Sequence, residues 1–291
     1  MIVSYLRLLY SGLRCTIAVA LGQAVYSLSS AQAAESQPTE LKRNIAYGKL
    51  PKQKLDLVLP SSATIKKTAP ILVFFHGGGW SAGSKDSYRQ FAQLIAQKGY
   101  IVVLPNYRLY PVVRFPEFVN DSALAVKWVQ DQVSEYGGDP SRLVISGHSA
   151  GAHISALLAF DDHFLKEAGV SMNKIRGWIG ISGPYAMPPS ETPAIADVFG
   201  AYADQPASMP INFVDGSEPA TLLIHGGRDW LVPTEQSRLM EEKLTAAGSQ
   251  VELAIFERYK HIDILPGFRL LHQKDAVLDK ILEFLEARTT F

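Results

Sequence analysis

Cysteine is nearly absent from this chain: among 291 residues, Cys15 carries the one thiol. Beyond residue 15 the sequence therefore offers no disulfide, no thiolate metal ligand and no cysteine nucleophile, and stability has to come from packing. A net charge is lacking too, because 28 Lys and Arg are balanced by 28 Asp and Glu. With no basic stripe to follow a phosphate backbone, nucleic acid is not expected as a partner. No histidine pair stands at the HExxH spacing of a zinc-binding helix, and Gly77 to Gly79 are not followed by the Gly-Lys-Ser/Thr of a phosphate loop. No early strand leads into a GxGxxG dinucleotide turn either. Neither a metal nor a cofactor is expected.

Long hydrophobic runs are also missing. The apolar stretch from Thr16 to Leu28 is shorter than the roughly 20 residues a membrane-spanning helix needs, and Gly22 and Gln23 interrupt it. Arg7 and Arg14 precede this stretch and the small residues Ser29-Ser30-Ala31-Gln32-Ala33 follow it, which is the layout of a cleavable secretory signal. Residues 1–34 are therefore expected to be a signal peptide cut near Ala33 or Ala34, with no stable membrane anchor and a secreted or periplasmic product. Cys15 lies ahead of the apolar run, where a lipoprotein signal would not put it.

What remains is a chain with 47% hydrophobic and 19% charged residues, enough to bury one large core, and residues 35–291 read as one domain. Glu35 to Asn44 is polar and reads as a loose entry segment. Lys54 to Leu59 alternates like a strand at the sheet margin. Ala69 to Phe75 and Tyr100 to Leu104 are continuous apolar runs, as in strands buried on both faces. Leu143 to Ser146, Gly177 to Ile181, Thr221 to His225 and Val251 to Phe256 read as further strands. Helices are expected at Tyr88 to Lys98, at Asp121 to Val133 with Asn120 or Asp121 as its cap, from Ala150 to Phe160, at Glu235 to Ala247 and at Asp275 to Ala287. Strands alternating with helices imply an α/β fold: a mostly parallel sheet with helices on both faces. Ser182 to Pro219 breaks the rhythm with Pro, Ser, Ala and acidic residues. It is either a small irregular cap over a cleft or an idle surface loop.

Two motifs carry chemistry. Gly147-His148-Ser149-Ala150-Gly151 joins a buried strand to a helix, and small residues two positions either side of Ser149 are what a nucleophile held in a sharp strand-to-helix turn requires. The helix N-terminus behind Ser149 adds a positive potential that favours an oxyanion. The second motif, His76-Gly77-Gly78-Gly79-Trp80, ends the first buried strand. Backbone N–H groups of Gly77 and Gly78, with that of Ala150, are expected to form an oxyanion hole, in which each donor is worth about 3 kcal/mol. His76 is expected to hold this loop rather than transfer protons, and Trp80 either lines a substrate pocket or packs in the core.

HGGGW and GHSAG, with Asn106-Tyr107-Arg108-Leu109-Tyr110-Pro111 between them, resemble the α/β-hydrolase fold esterases of the hormone-sensitive-lipase-like and related carboxylesterase groups. Gly147 to His153 is also similar to the corresponding stretch of kynurenine formamidases and isoprenylcysteine methylesterases, and the early strand with HGGGW is similar to bacterial feruloyl and acetyl-xylan esterases. The resemblance spans nearly all of the chain after the signal and implies a serine hydrolase acting on a small acyl ester through an acyl-enzyme.

In this fold the acid and then the base follow the nucleophile. Thr221 to His225 delivers Asp229 on a glycine turn at a strand's carboxyl end, where catalytic groups gather in open α/β sheets, and relatives carry their acid in a matching segment. Asp204 and Asp215 are rivals by chain order but sit in the irregular insertion. His261, in the loop after the last strand, has the order, position and family match of the base, with His272 as a later competitor. Asp263 follows the histidine and is rejected as the acid. His148 and His153 flank the nucleophile turn and are read as packing or bonding there, and His163 and His225 show no partner spacing. Three other readings stay open: an arylformamidase or a carbohydrate-linked acetyl or feruloyl esterase using the same site, and a non-catalytic binding protein on the hydrolase scaffold.

Overall fold

The computed structural model describes residues 39–61, 68–268 and 275–290. Residues 1–34, read above as a signal peptide, with Cys15, and the competing base His272 lie outside the described residues.

One sheet of eight strands runs in the order β1-β2-β4-β3-β5-β6-β7-β8. The strands are β1 (Glu40–Ala46), β2 (Lys54–Leu59), β3 (Ala69–Phe75), β4 (Ile101–Pro105), β5 (Gly138–His148), β6 (Ile175–Ile181), β7 (Thr221–Gly226) and β8 (Val251–Phe256). β2 pairs antiparallel with β1 and with β4, and the remaining neighbours are parallel. The helices longer than one turn are α1 (Arg89–Ala96), α2 (Glu117–Gln132), α3 (Ala150–Phe160), α4 (Asp162–Glu167), α5 (Pro193–Phe199), α6 (Glu235–Ala246) and α7 (Ala276–Thr289).

The unbroken apolar run of β3 has a simple cause: both faces of the sheet are covered. Ile71, Val73 and Phe75 enter one core with Val126 of α2, Leu157 of α3 and Leu244 of α6. Leu72 and Phe74 enter the other with Phe91 and Ile95 of α1 and Ile281 and Leu285 of α7. Among the described residues no helix is long and apolar enough to cross a membrane.

The chain leaves β3 toward β4 on one side and reaches β5 on the other, so the loops after β3 and β5 diverge and leave a crevice at their carboxyl ends. His76 to Trp80 and Ser149 emerge there.

Three expectations about elements change. The stretch read as a loose entry contains β1, whose exposed, polar residues gain their order from the ladder with β2, so β2 is not the margin. α2 starts at Glu117, ahead of Asn120 and Asp121. Asp121 does not cap it, because its buried carboxylate accepts from Arg108 at 2.8 Å and from Gln53 at 2.8 Å. The insertion is not structureless: α5 and short 3₁₀ turns at Pro189–Glu191, Gly200–Tyr202, Pro206–Ser208 and Pro210–Phe213 occupy it, and the backbone of Val198 accepts from Phe115 N–H at 3.0 Å.

Candidate active site

Ser149 leaves β5 with φ 56° and ψ −123° and becomes the N-cap of α3. A non-glycine residue at such a positive φ is strained and persists only where its surroundings hold it. They do so by close approach of backbone: a Cβ on Gly147 would stand 2.2 Å from Gly151 O, and one on Gly151 would stand 2.1 Å from Phe75 O. The need for small residues on both sides of Ser149 thus comes from the close approach of α3 to the ends of β5 and β3. Ser149 N–H donates to Ile181 O of β6 at 2.9 Å, and Ser149 O accepts from His153 N–H at 3.1 Å.

The loop at residues 76–85 lies against this turn, since a Cβ on Gly77 would meet Ser149 Cβ at 3.1 Å. Its anchors come from the segment after β4. Tyr107 stacks on His76 with 4.3 Å between ring centroids, and its hydroxyl donates to His76 O at 2.8 Å. Asn106 Oδ1 accepts from Lys85 N–H at 2.8 Å. The Lys85 ammonium in turn pairs with fully buried Asp56 on β2 at 2.8 Å. His76 Nδ1 donates to Gly77 O at 2.8 Å, and burial lowers its pKa to about 4, so it is a neutral loop anchor, as expected.

One oxyanion-hole expectation is corrected. The N–H of Gly77 is already donated to the Tyr88 hydroxyl at 2.9 Å and the residue is buried, so it has no free donor for a substrate oxygen. Gly78 (φ 131°) and Gly79 (φ 57°) are exposed, and the carbonyl of Gly78 is held by Ser81 and Ala82 N–H groups. Ala150 is the first residue of α3, where the N–H has no partner within the helix.

Asp229 and His261 meet directly. His261 Nδ1 lies 2.7 Å from Asp229 Oδ2, while Asp229 Oδ1 accepts from the N–H groups of Leu231 at 3.0 Å and Val232 at 2.9 Å. Burial by itself would raise the Asp229 carboxyl. The hydrogen bonds from His225, His261 and the Val232 amide outweigh that and hold it well below the usual carboxylate range. An ionised Asp229 accepts, so His261 carries a proton on Nδ1, which leaves Nε2 as the ring nitrogen that faces away from the acid. His225 was given no role by the sequence, yet it clamps this turn: Nε2 is 2.9 Å from Val232 O and 3.3 Å from Asp229 Oδ2, and Nδ1 is 2.7 Å from Ser237 Oγ.

The loop of His261 reaches the nucleophile turn through residue 148. His148 Nε2 bonds His261 O at 2.8 Å, and the two rings are 4.7 Å apart. Among the described residues no hydrogen bond joins the Ser149 hydroxyl to His261; in unliganded sites such bonds are commonly long and tighten with substrate. Among the rivals, Asp215 is exposed and takes part in a local turn with Ser217, and Asp263 accepts from Lys260 N–H. The carboxylate that meets the His261 ring is that of Asp229.

Trp80 is both packed and close to the crevice. Its ring meets Phe199 of α5 edge-on at 5.0 Å and His153 at 5.1 Å, and His153 Nε2 bonds Ser208 O at 2.7 Å. The insertion is thereby fastened to residues that flank Ser149.

Comparison with known proteins follows the same lines. The BD-FAE family model matches residues 55–244. The isoprenylcysteine alpha-carbonyl methylesterase of Arabidopsis thaliana is 29% identical over 85% of this chain and 62% of its own length. Esterase LipC of Mycobacterium tuberculosis is 32% identical over 78% of this chain and 61% of its own. The chain thus spans about three fifths of the length of these curated relatives. Among solved structures, a truncated carbohydrate esterase from gut microbiota superposes with a TM-score of 0.77 at 22% identity, covering 89% of this chain and 99% of that one, and shares its α/β-hydrolase fold.

Proposed function

Because the chain belongs to the BD-FAE family of α/β-hydrolase esterases, we propose that it is a serine hydrolase that cleaves carboxylic esters through an acyl-enzyme. The observation that carries this reading is the 2.7 Å pairing of His261 with an ionised Asp229, on a loop tied to the turn that holds Ser149 in a strained backbone conformation.

In the proposed reaction Ser149 Oγ attacks the ester carbonyl while His261 Nε2 takes its proton, and Asp229 orients and stabilises the imidazolium. The tetrahedral oxyanion receives the N–H groups of Gly78, Gly79 and Ala150, aided by the positive end of α3. Protonation of the leaving alcohol by His261 releases it. Water, activated by the same imidazole, then frees the acid. Trp80 and Phe199 border the substrate group, which gives the insertion at residues 182–219 the role of a small cap. The N-terminal sequence pattern supports export, so the substrate is an ester met outside the cytoplasm.

A substrate panel tests the assignment. The protein lacking residues 1–34 is assayed on p-nitrophenyl acetate, a feruloyl ester and N-formylkynurenine. The reading expects kcat/KM to be highest on an ester. Turnover of the formamide alone would favour an arylformamidase, and no turnover of any substrate a binding protein.

A further inference from the structure

Tyr88 and His148 have no part in the reaction outlined above, and both are buried beside it. The direction of their hydrogen bonds follows from the chemistry of the partners and the charge of the ring. The carbonyl of His261 can only accept, so His148 Nε2, 2.8 Å away, must carry a proton. The ring is neutral, because burial foremost and the nearby His261 next lower its pKa to about 3. Its Nδ1 is therefore a bare acceptor. The Tyr88 hydroxyl, 3.0 Å from that nitrogen, donates to it and accepts from Gly77 N–H at 2.9 Å. One polarised chain results, running from Gly77 N–H through the Tyr88 hydroxyl and the His148 imidazole to the carbonyl of His261.

Each link belongs to a different catalytic loop: Gly77 to the oxyanion loop, His148 to the turn before Ser149, and His261 to the base. We propose that Tyr88 and His148 are positioning residues whose hydrogen-bonded relay holds these three loops in register during ester hydrolysis. The proposal rests on the reading of Ser149 and His261 given above. The relay acts through the groups it places. A loosened Gly77 shifts the Gly78 and Gly79 amides relative to the oxyanion, and a loosened His261 carbonyl shifts its imidazole relative to Ser149. Misplacement on the order of 1 Å costs about 100-fold in rate.

Tyr88→Phe tests the relay with little change in packing, since the ring keeps its contacts with Phe74 and Phe268 at 5.2 and 5.1 Å. Its kcat on p-nitrophenyl acetate, measured well below the melting temperature of the variant, is expected to fall about 10- to 100-fold with KM changed less than about threefold. A folded variant with kcat within twofold of the parent overturns the proposal. A second measurement needs no variant. In protein labelled with ¹⁵N-histidine, His148 is expected as the neutral Nε2–H tautomer at pH 7, and an Nδ1–H tautomer or an imidazolium overturns the relay. Ser149→Ala, assayed in parallel, separates the two levels. If it retains hydrolysis, the catalytic reading itself is wrong. If it is inactive while Tyr88→Phe is unimpaired, only the relay fails.

Discussion

Asp229 is buried and ionised, and it spends both carboxylate oxygens on orientation: one on the backbone of Leu231 and Val232, the other on His261. An Asn at this position keeps the size but presents an N–H₂ or a neutral oxygen, so His261 no longer has a charged acceptor to fix the proton on Nδ1. Asp229→Asn is expected to lower kcat by about 10³- to 10⁴-fold while far-UV circular dichroism stays that of the parent. A loss below tenfold would mean that Asp229 does not orient the base. At this scale the motif residues around Ser149 and the pairing of Asp229 with His261 were legible in the sequence. Two features were not. Three consecutive glycine amides look alike in a sequence, and only the position of Tyr88 reveals that Gly77 is already engaged. His148 and His225 carry no spacing signal, because their partners lie on loops brought together by the sheet.

The nucleophile turn is a contact between elements before it is a catalytic device. Gly151 lies in the first turn of α3, and its Cα faces the carbonyls of Phe75 and His76 at the end of β3. Helix propensity alone would favour alanine there by about 0.8 kcal/mol. Steric opposition wins, because a Cβ 2.1 Å from Phe75 O meets backbone that cannot turn aside. Gly151→Ala is expected to cost about 3 kcal/mol, read as a lower urea midpoint; equal or higher stability would show that α3 does not approach β3 so closely. Seven of the eight strands were legible in the sequence, as apolar runs in the doubly covered centre of the sheet and as mixed or alternating runs toward its margins. β1 was not, because an edge strand with polar, exposed residues is ordered by its neighbour and not by a core. The insertion likewise hid its short helices. They are too short for a period to emerge, and tertiary contacts such as Phe199 against Trp80 hold them.

For the whole molecule, a property shared by three buried histidines, His76, His148 and His153, sets the response to acid. Burial lowers His76 and His153 to about 4, and burial with the neighbouring His261 lowers His148 to about 3. In the unfolded chain the same groups titrate near 6.5, so between these values the unfolded state binds more protons. Stability is therefore full above about pH 6.5 and falls as the pH drops toward the folded values, by about 1.4 kcal/mol per pH unit for each histidine. Asp229, whose carboxyl is held down in the folded protein, extends the loss below about pH 4, where its unfolded counterpart takes up a proton. Urea unfolding at pH 7.5, 6 and 5 is expected to show a flat region and then a steep decline, with acid unfolding between about pH 4 and 6. Undiminished stability at pH 4.5 would mean that these imidazoles are solvated or already charged in the fold.

The central claim is that the Ser149 hydroxyl is a nucleophile activated by His261. Incubation with a fluorophosphonate, followed by mass spectrometry of the digested protein, tests it most directly. The account predicts one covalent adduct per chain on the peptide containing Ser149, formed in step with loss of esterase activity and absent from Ser149→Ala. Full loss of activity with the adduct on another residue, or hydrolysis that continues after Ser149 is fully labelled, would contradict it.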